Sequence, residues 1–206
     1  MPAIKDFVPP ILLGPIRAFR RMFFSEAKKR RDATVPPAPK VKQDHVKDYA
    51  KRYDMHVFVE TGTYLGEMVN AVRKTFKVIY SVELSKELHE RAKQWFTDHE
   101  HIHLLQGDSG EVIAELTKKI DSPCLFWLDA HYSGGITARG DMDTPIVAEL
   151  ENIFSRPYKD VILIDDARCF IGEDHYPTIE FVESFTKEKR PEYKVSVKDD
   201  IIFIHP

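Results

Sequence analysis

From residue 56 onward the chain alternates short apolar runs with longer amphipathic stretches. The apolar runs are His56–Glu60 (HVFVE), Val78–Glu83 (VIYSVE), Ile102–Gln106 (IHLLQ), Pro123–Asp129 (PCLFWLD) and Val161–Asp166 (VILIDD). Runs this short, rich in β-branched and aromatic residues, read as strands rather than helices. Between them, Gly66–Phe76, Ser85–His99, Gly110–Lys119, Thr144–Phe154 and Thr178–Lys187 carry apolar residues at helical spacing. Ser85 is a good N-cap, and Pro145 suits a first helical turn. Gln43–Tyr53 predicts a further helix ahead of the first strand. Tyr193–Val197 and Ile201–His205 flank Lys198-Asp199-Asp200 and read as a closing hairpin. Near-continuous apolar strands alternating with helices require a sheet covered on both faces, with right-handed connections. The predicted fold class is therefore α/β: a Rossmann-like, doubly wound, mostly parallel seven-stranded sheet with a C-terminal β-hairpin. No internal repeat interrupts this pattern.

The first 42 residues follow a different pattern. Residues 1–31 are apolar and basic together, with Ile11, Leu12, Ile16, Phe19, Phe23 and Phe24 interleaved with Arg17, Arg20 and Arg21. This segment carries eight Lys/Arg against Asp6 and Glu26, a charge of +6, so an overall charge of −3 leaves −9 on the remainder. An interfacial helix lying on an anionic membrane fits that composition. A helix docked on the following domain, or a contact with a partner, fits it as well. Residues 32–42 form a Pro-rich linker, which leaves residues 43–206 as the globular domain. An acidic body argues against a nucleic-acid partner.

Composition bounds the rest. Hydrophobic residues at 43% and charged residues at 31% are those of a water-soluble globular chain. No apolar run reaches the ~20 residues that span a bilayer. Val8–Ile16 is broken by Pro9, Pro10, Gly14 and Pro15 and does not read as a cleavable signal. Cys124 and Cys169 are too few for a disulfide framework, so free thiols in a reducing cytoplasm are expected, with any peripheral membrane contact at the inner face.

The candidate chemistry lies at the strand ends. Glu60, Glu83, Asp108, Asp129 and the pair Asp165/Asp166 each follow a predicted strand, separated by 23, 25, 21 and 36 residues. Any one acid there could cap the next helix. Five in succession at the same topological point line one rim, where ligands bind in sheets of this kind. The loop Glu60-Thr61-Gly62-Thr63-Tyr64-Leu65-Gly66 opens the helix after the first strand. It is neither GxGxxG nor a phosphate loop. A pyrophosphate wants bare amides and a helix N-terminus. An acid inside the loop suits the cationic S-adenosylmethionine better. Glu83 is then placed for the ribose hydroxyls, and Asp108, with Ser109 beside it, for the adenine amino group.

The series VETGTYLGE, SVELS and GDSGE resembles the ordered motifs of class I S-adenosylmethionine-dependent methyltransferases, from about Met55 to the C-terminus. The chain departs from that family at Tyr64 or its neighbours, where a third glycine is usual. The resemblance implies that Glu60, Gly62 and Gly66 hold the methionine part of the cofactor, and Thr61, Thr63 and Tyr64 of the same loop are cofactor-binding candidates with them. It assigns ribose to Glu83 and adenine to Asp108 and Ser109, and brings Asp129 against the cofactor.

WLDAHYSGG after the fourth strand and LIDDARCF after the fifth bring Asp129 close to Asp165 and Asp166. Three carboxylates at one point repel unless a cation neutralises them, and Mg2+ is a natural partner. The alternative is that Asp165 and Asp166 cap a helix while Asp129 meets only the cofactor. The arrangement resembles the metal-dependent O-methyltransferases of the catechol and macrocin types. It implies metal ligation by Asp129, Asp165 and Asp166, and a sugar or glycan hydroxyl as acceptor. A metal-independent small-molecule methyltransferase is the alternative. His131 is a candidate general base or a structural histidine. Arg168 either orients the acceptor or neutralises the acids. Asp129, His131 and Arg168 make up the candidate catalytic set. Residues 133–143 (SGGITARGDMD) read as a lid, and residues 174–177 as the far wall of the acceptor pocket or a helix entry. The oligomeric state is left open.

Overall fold

Five parallel strands and one antiparallel hairpin form a single sheet in the order β3-β2-β1-β4-β5-β7-β6. The computed structural model describes residues 35–130, 145–173 and 175–206. The strands are β1 Val57–Thr61, β2 Val78–Glu83, β3 Ile102–Gln106, β4 Cys124–Leu128, β5 Val161–Ile164, β6 Lys194–Lys198 and β7 Ile201–His205. The helices are α1 Pro39–Arg52, α2 Glu67–Val72, α3 Lys86–Trp95, α4 Ser109–Leu116, α5 Ile146–Phe154 and α6 Ile179–Lys189. This is the predicted Rossmann-like architecture, with β7 antiparallel between β5 and β6.

The central strands are apolar at every position because both faces are covered. Phe58, Leu125, Trp127 and Leu163 pack in one core with residues of α1, α2 and α3. Val57, Val59, Phe126 and Ile162 pack in the other with residues of α4, α5 and α6. Neighbouring residues on a strand point to opposite faces, so a strand buried on both sides loses the polar alternation of an exposed sheet.

Local signals set most helix starts. The Ser85 hydroxyl accepts from the Leu88 amide at 3.4 Å at the start of α3. Thr178 accepts from the Phe181 amide at 3.1 Å at the start of α6. One boundary differs from the expectation. α1 begins at Pro39, four residues before Gln43, with proline in its first turn. Proline is favoured there because its missing amide has no helical partner to lose. Residues 39–42 are therefore helix rather than linker.

α1 is fastened to the C-terminal hairpin. Tyr49 stacks on Phe203 with centroids 4.9 Å apart, and Tyr53 Oη lies 2.8 Å from His205 Nδ1. His45 Nε2 lies 2.8 Å from Asp199 Oδ2. At the amino ends of the internal strands β4 and β5, Arg156 and Asp160 form a buried ion pair at 2.8 Å. Arg156 also donates to the carbonyls of Thr117, Ile120 and Ser122, and Asp160 accepts the Cys124 amide. This cluster ties the starts of β4 and β5 together. Both cysteines are free thiols, and burial pushes the Cys124 thiol up to about 12.

Residues 1–34, 131–144 and 174 lie outside the described residues. The expected membrane-surface segment, His131 and the residue 133–143 lid therefore have no structural account. No helix among the described residues is long and apolar enough to cross a membrane.

Candidate active site

The loop after β1 is built on backbone that only a few residues tolerate. Gly62 has φ +85°, and a Cβ there would lie 2.4 Å from the Asp129 carbonyl oxygen. Gly66 has φ +72°, and a Cβ there would meet the Phe96 ring at 2.8 Å. Tyr64, in the stretch where the resembling family has another glycine, also adopts a left-handed φ of +47°. A residue with a side chain thus holds a backbone conformation that glycine adopts more readily. The Gly62 and Thr63 amides donate to the Val82 carbonyl, which ties the loop to the end of β2.

Two buried acids stand under this loop. Glu60 ends the apolar part of β1 at 2% exposure and accepts a hydrogen bond from the Ser81 hydroxyl. Ser81 Oγ in turn lies 2.6 Å from Thr63 Oγ1. Burial raises the Glu60 pKa well above the usual carboxylate range; Ser81 opposes this, and the charges of Asp129 and Glu83 add to it. Glu83, at the end of β2, accepts the Tyr64 amide on one oxygen and the Ser85 amide on the other, both at 2.8 Å. It therefore holds the loop and the start of α3 in one frame. A carboxylate has about four acceptor sites, so two remain for a ligand. Asp108 caps α4 by accepting the Gly110 amide at 2.9 Å. Ser109 is buried beside it.

At the ends of β4 and β5, Asp129, Ala130, Glu149, Asp165, Phe170 and Tyr176 line a small cleft. Of the expected far wall, Tyr176 reaches this cleft, and its ring meets Phe170 edge-on at 5.3 Å. The backbones of β1, β4 and β5 are in register here: the Asp129 amide donates to Thr61 O and the Asp165 amide to Leu128 O, both at 3.0 Å. Asp166 follows in a left-handed conformation, φ +56°, which turns the chain into a short 3-10 turn at Ala167–Cys169.

The acid pair meets cations supplied by the chain. Lys42 Nζ lies 2.6 Å from Asp165 Oδ2 and 3.4 Å from Asp166 Oδ1. Arg168 Nη1 donates to Asp166 Oδ1 at 2.7 Å and also pairs with Asp200. Of the two roles expected for Arg168, neutralising the acids is the one these contacts describe. Burial works against the Lys42 charge, but Asp165, Asp166 and Asp129 outweigh it and raise its pKa. Burial and the negative charges of Asp129 and Asp166 push the Asp165 carboxyl upward, while Lys42 pulls it down.

Glu149 and Lys42 are the two residues that the sequence reading passed over. Glu149 is 1% exposed on the core-facing side of α5. Burial pushes its pKa up to about 7; the Ser109 and Thr61 hydroxyls favour the anion, and Asp108 and Asp129 oppose it. The hydroxyls lie near, yet neither Thr61 Oγ1 nor Glu149 Oε1 completes a hydrogen bond among the described residues. Buried oxygens left open in this way mark a place for a water or a ligand. The signal in the sequence was an acid on an apolar stripe: Ile146, Leu150 and Ile153 share a helix face with Glu149.

The expected Mg2+ site does not fit these residues as they stand. Lys42 and the Asp166 amide occupy the two oxygens of Asp165, and Lys42 and Arg168 converge on Asp166 Oδ1. Among the described residues no three His, Cys, Asp or Glu side chains come together as a metal-holding group.

No family model matches the chain, and no curated protein matches it. Solved structures do. An SAH-bound methyltransferase from Podospora anserina superposes with a TM-score of 0.57 at 15% identity, covering 100% of this chain and 99% of that one. An O-methyltransferase from Bacillus cereus in complex with SAH gives 0.57 at 11% identity, over 87% and 88% of the two chains. The O-methyltransferase TomG from Streptomyces achromogenes, in complex with SAM, gives 0.56 at 12% identity, over 87% and 85%. The chain thus has the Rossmann-like fold of class I S-adenosylmethionine-dependent methyltransferases.

Proposed function

We propose that this protein is an S-adenosylmethionine-dependent O-methyltransferase acting on a hydroxyl of a small molecule. The observation that carries the reading is the frame that Glu83 makes with the strained loop at residues 60–66, beside the buried Glu60. The donor set suits this cofactor: acids for a cation and for hydroxyls, and a close backbone approach at Gly62 and Gly66. Glu60, Thr61, Gly62, Thr63, Tyr64 and Gly66 hold the methionine part. Glu83 takes the ribose hydroxyls, and Asp108 and Ser109 the adenine edge. Asp129 closes the pocket at the end of β4.

When bound, the cofactor supplies an electrophilic methyl group on a positively charged sulfur. The protein's task is then to hold an acceptor oxygen in line with that methyl and to take its proton. Asp129, Asp165 and Tyr176 border the cleft where the acceptor oxygen sits, and His131 is the base. Arg168 steadies Asp166. No step of this reading runs through a divalent ion.

The sugar or glycan class of acceptor rests on the resemblance to the macrocin type. A membrane-proximal glycan on the cytoplasmic face also fits the basic, apolar residues 1–31. We place the catalytic domain from α1 to the C-terminus, four residues earlier than the expected boundary at 43, with the linker ahead of it.

Calorimetry tests the cofactor assignment. S-adenosylmethionine and S-adenosylhomocysteine bind with one site per chain, and NAD does not. Binding of NAD without either of the others would replace the methyltransferase reading with that of a nucleotide-binding oxidoreductase.

A further inference from the structure

The acid cluster at the β4 and β5 ends is neutralised by a residue 123 positions away in sequence. Lys42 is a helix residue, on an α1 that begins at Pro39. Its side chain is only 15% exposed, and its ammonium lies 2.6 Å from Asp165 Oδ2 and 3.4 Å from Asp166 Oδ1. A lysine is seldom buried to this degree unless it is paired. Its place is set by the whole helix, because Tyr49, Tyr53 and His45 fasten α1 to the hairpin that borders β5.

The pairing sets a positive charge directly against the acid nearest to Lys42, and each of its oxygens already has a partner. Asp165 Oδ2 faces the ammonium, and Asp165 Oδ1 accepts the Asp166 amide at 2.8 Å. Arg168 adds a second positive charge on Asp166 Oδ1. An incoming divalent ion would have to expel an ammonium from a contact that is largely closed to water, where charge pairs are least screened.

Resting on the methyltransferase reading above, we propose that the Lys42 ammonium is the resident cation of this site. It meets Asp165 and Asp166, two of the three acids that the resemblance assigns to a metal, and it fixes the Asp165 carboxylate in place at the acceptor cleft. Lys42 is a positioning residue: it acts through Asp165. A consequence for substrate class follows. A metal captures its acceptor by chelating two vicinal oxygens, whereas a carboxylate held by an ammonium accepts a hydrogen bond from one hydroxyl, whose proton then passes to the base. The acceptor here requires a single hydroxyl and no vicinal partner.

The test uses the full chain, stripped of metals on a chelating resin, with S-adenosylhomocysteine present. Mn2+ alone is titrated and its bound fraction read by electron paramagnetic resonance. The wild type takes up no Mn2+ at concentrations to about 1 mM, a range that fills dedicated carboxylate sites. Lys42→Met removes the charge at similar volume and gains one Mn2+ with at least about tenfold higher affinity. Adding Asp165→Asn abolishes that gain, and Lys42→Arg behaves as the wild type. Stoichiometric Mn2+ binding by the wild type, lost in Asp165→Asn, overturns the proposal, and so does a folded Lys42→Met chain with unchanged Mn2+ affinity. The wild-type titration decides the matter even if Lys42→Met fails to fold. Failure of the wild type to bind S-adenosylhomocysteine sinks the methyltransferase reading instead, and the Mn2+ result still reports on Lys42.

Discussion

The Gly62 Cα faces the Asp129 carbonyl so closely that a methyl group on it would lie 2.4 Å from that oxygen. The first loop of the sheet and the end of β4 are therefore packed backbone against backbone. Gly62→Ala combines this clash with a φ of +85°. A strained left-handed residue alone costs about 1–3 kcal/mol, and the clash displaces the β4 end as well. Thermal unfolding should show a loss of at least about 2 kcal/mol. Calorimetry should show S-adenosylhomocysteine binding weakened far more than by a change on the opposite sheet edge.

Glu83 is predicted to act twice, on the ligand and on the loop. It accepts the amides of Tyr64 and Ser85 at 2.8 Å each. Hydrogen bonds to a charged group are worth about 1.5–3 kcal/mol each. Glu83→Ala should therefore lower cofactor affinity by on the order of 100-fold or more, while Glu83→Gln, which keeps one acceptor oxygen, loses less. Equal affinities for the two variants would contradict this role.

Glu149 makes a prediction about pH. Its pKa is raised by burial from 4.5 to about 7 in the folded chain. A raised carboxyl stabilises the fold fully below the unfolded value, and that contribution is lost as pH climbs toward the folded value. Stability should therefore fall between about pH 4.5 and 7, by up to about 3 kcal/mol from this residue, and level off above that range. Glu149→Gln should flatten this part of the profile and stabilise the chain at pH 8. Urea unfolding at several pH values measures it, and an unchanged slope would place the ionised form in the fold.

The Arg156–Asp160 pair predicts a purely structural loss. Both side chains are buried, and Arg156 also serves three backbone carbonyls. Arg156→Ala leaves Asp160 as an uncompensated buried charge, which costs about 3–5 kcal/mol. Folded Arg156→Ala protein should bind S-adenosylhomocysteine like the wild type, since the cluster lies at the amino ends of β4 and β5 and the candidate site at their carboxyl ends.

The sheet was legible in the sequence because its strands are buried on both faces. VFVE, VIYSVE and VILI carry no polar alternation, and the hairpin announces itself by Lys198-Asp199-Asp200. The rim acids were legible for the same reason: each ends an apolar run. Helix length was less so. α2 stops at Val72 rather than Phe76, and α1 starts four residues early. The misplaced start of α1 hid Lys42, because a lysine in a linker has no fixed neighbour. Its meeting with Asp165 depends on α1 docking against β7, a contact between the two ends of the domain that no local pattern encodes. Glu149 was hidden differently. Its place on the apolar stripe was readable, but its depth depends on how α5 packs against β1 and α4.

The central claim is a cofactor lying over the carboxyl ends of β1 and β2. A crystal structure of the chain with S-adenosylhomocysteine tests it most directly. The account predicts ligand density along residues 60–66, with the ribose hydroxyls on the Glu83 carboxylate and the adenine beside Asp108. Density elsewhere, with Glu83 still bound only to Tyr64 and Ser85, would contradict it.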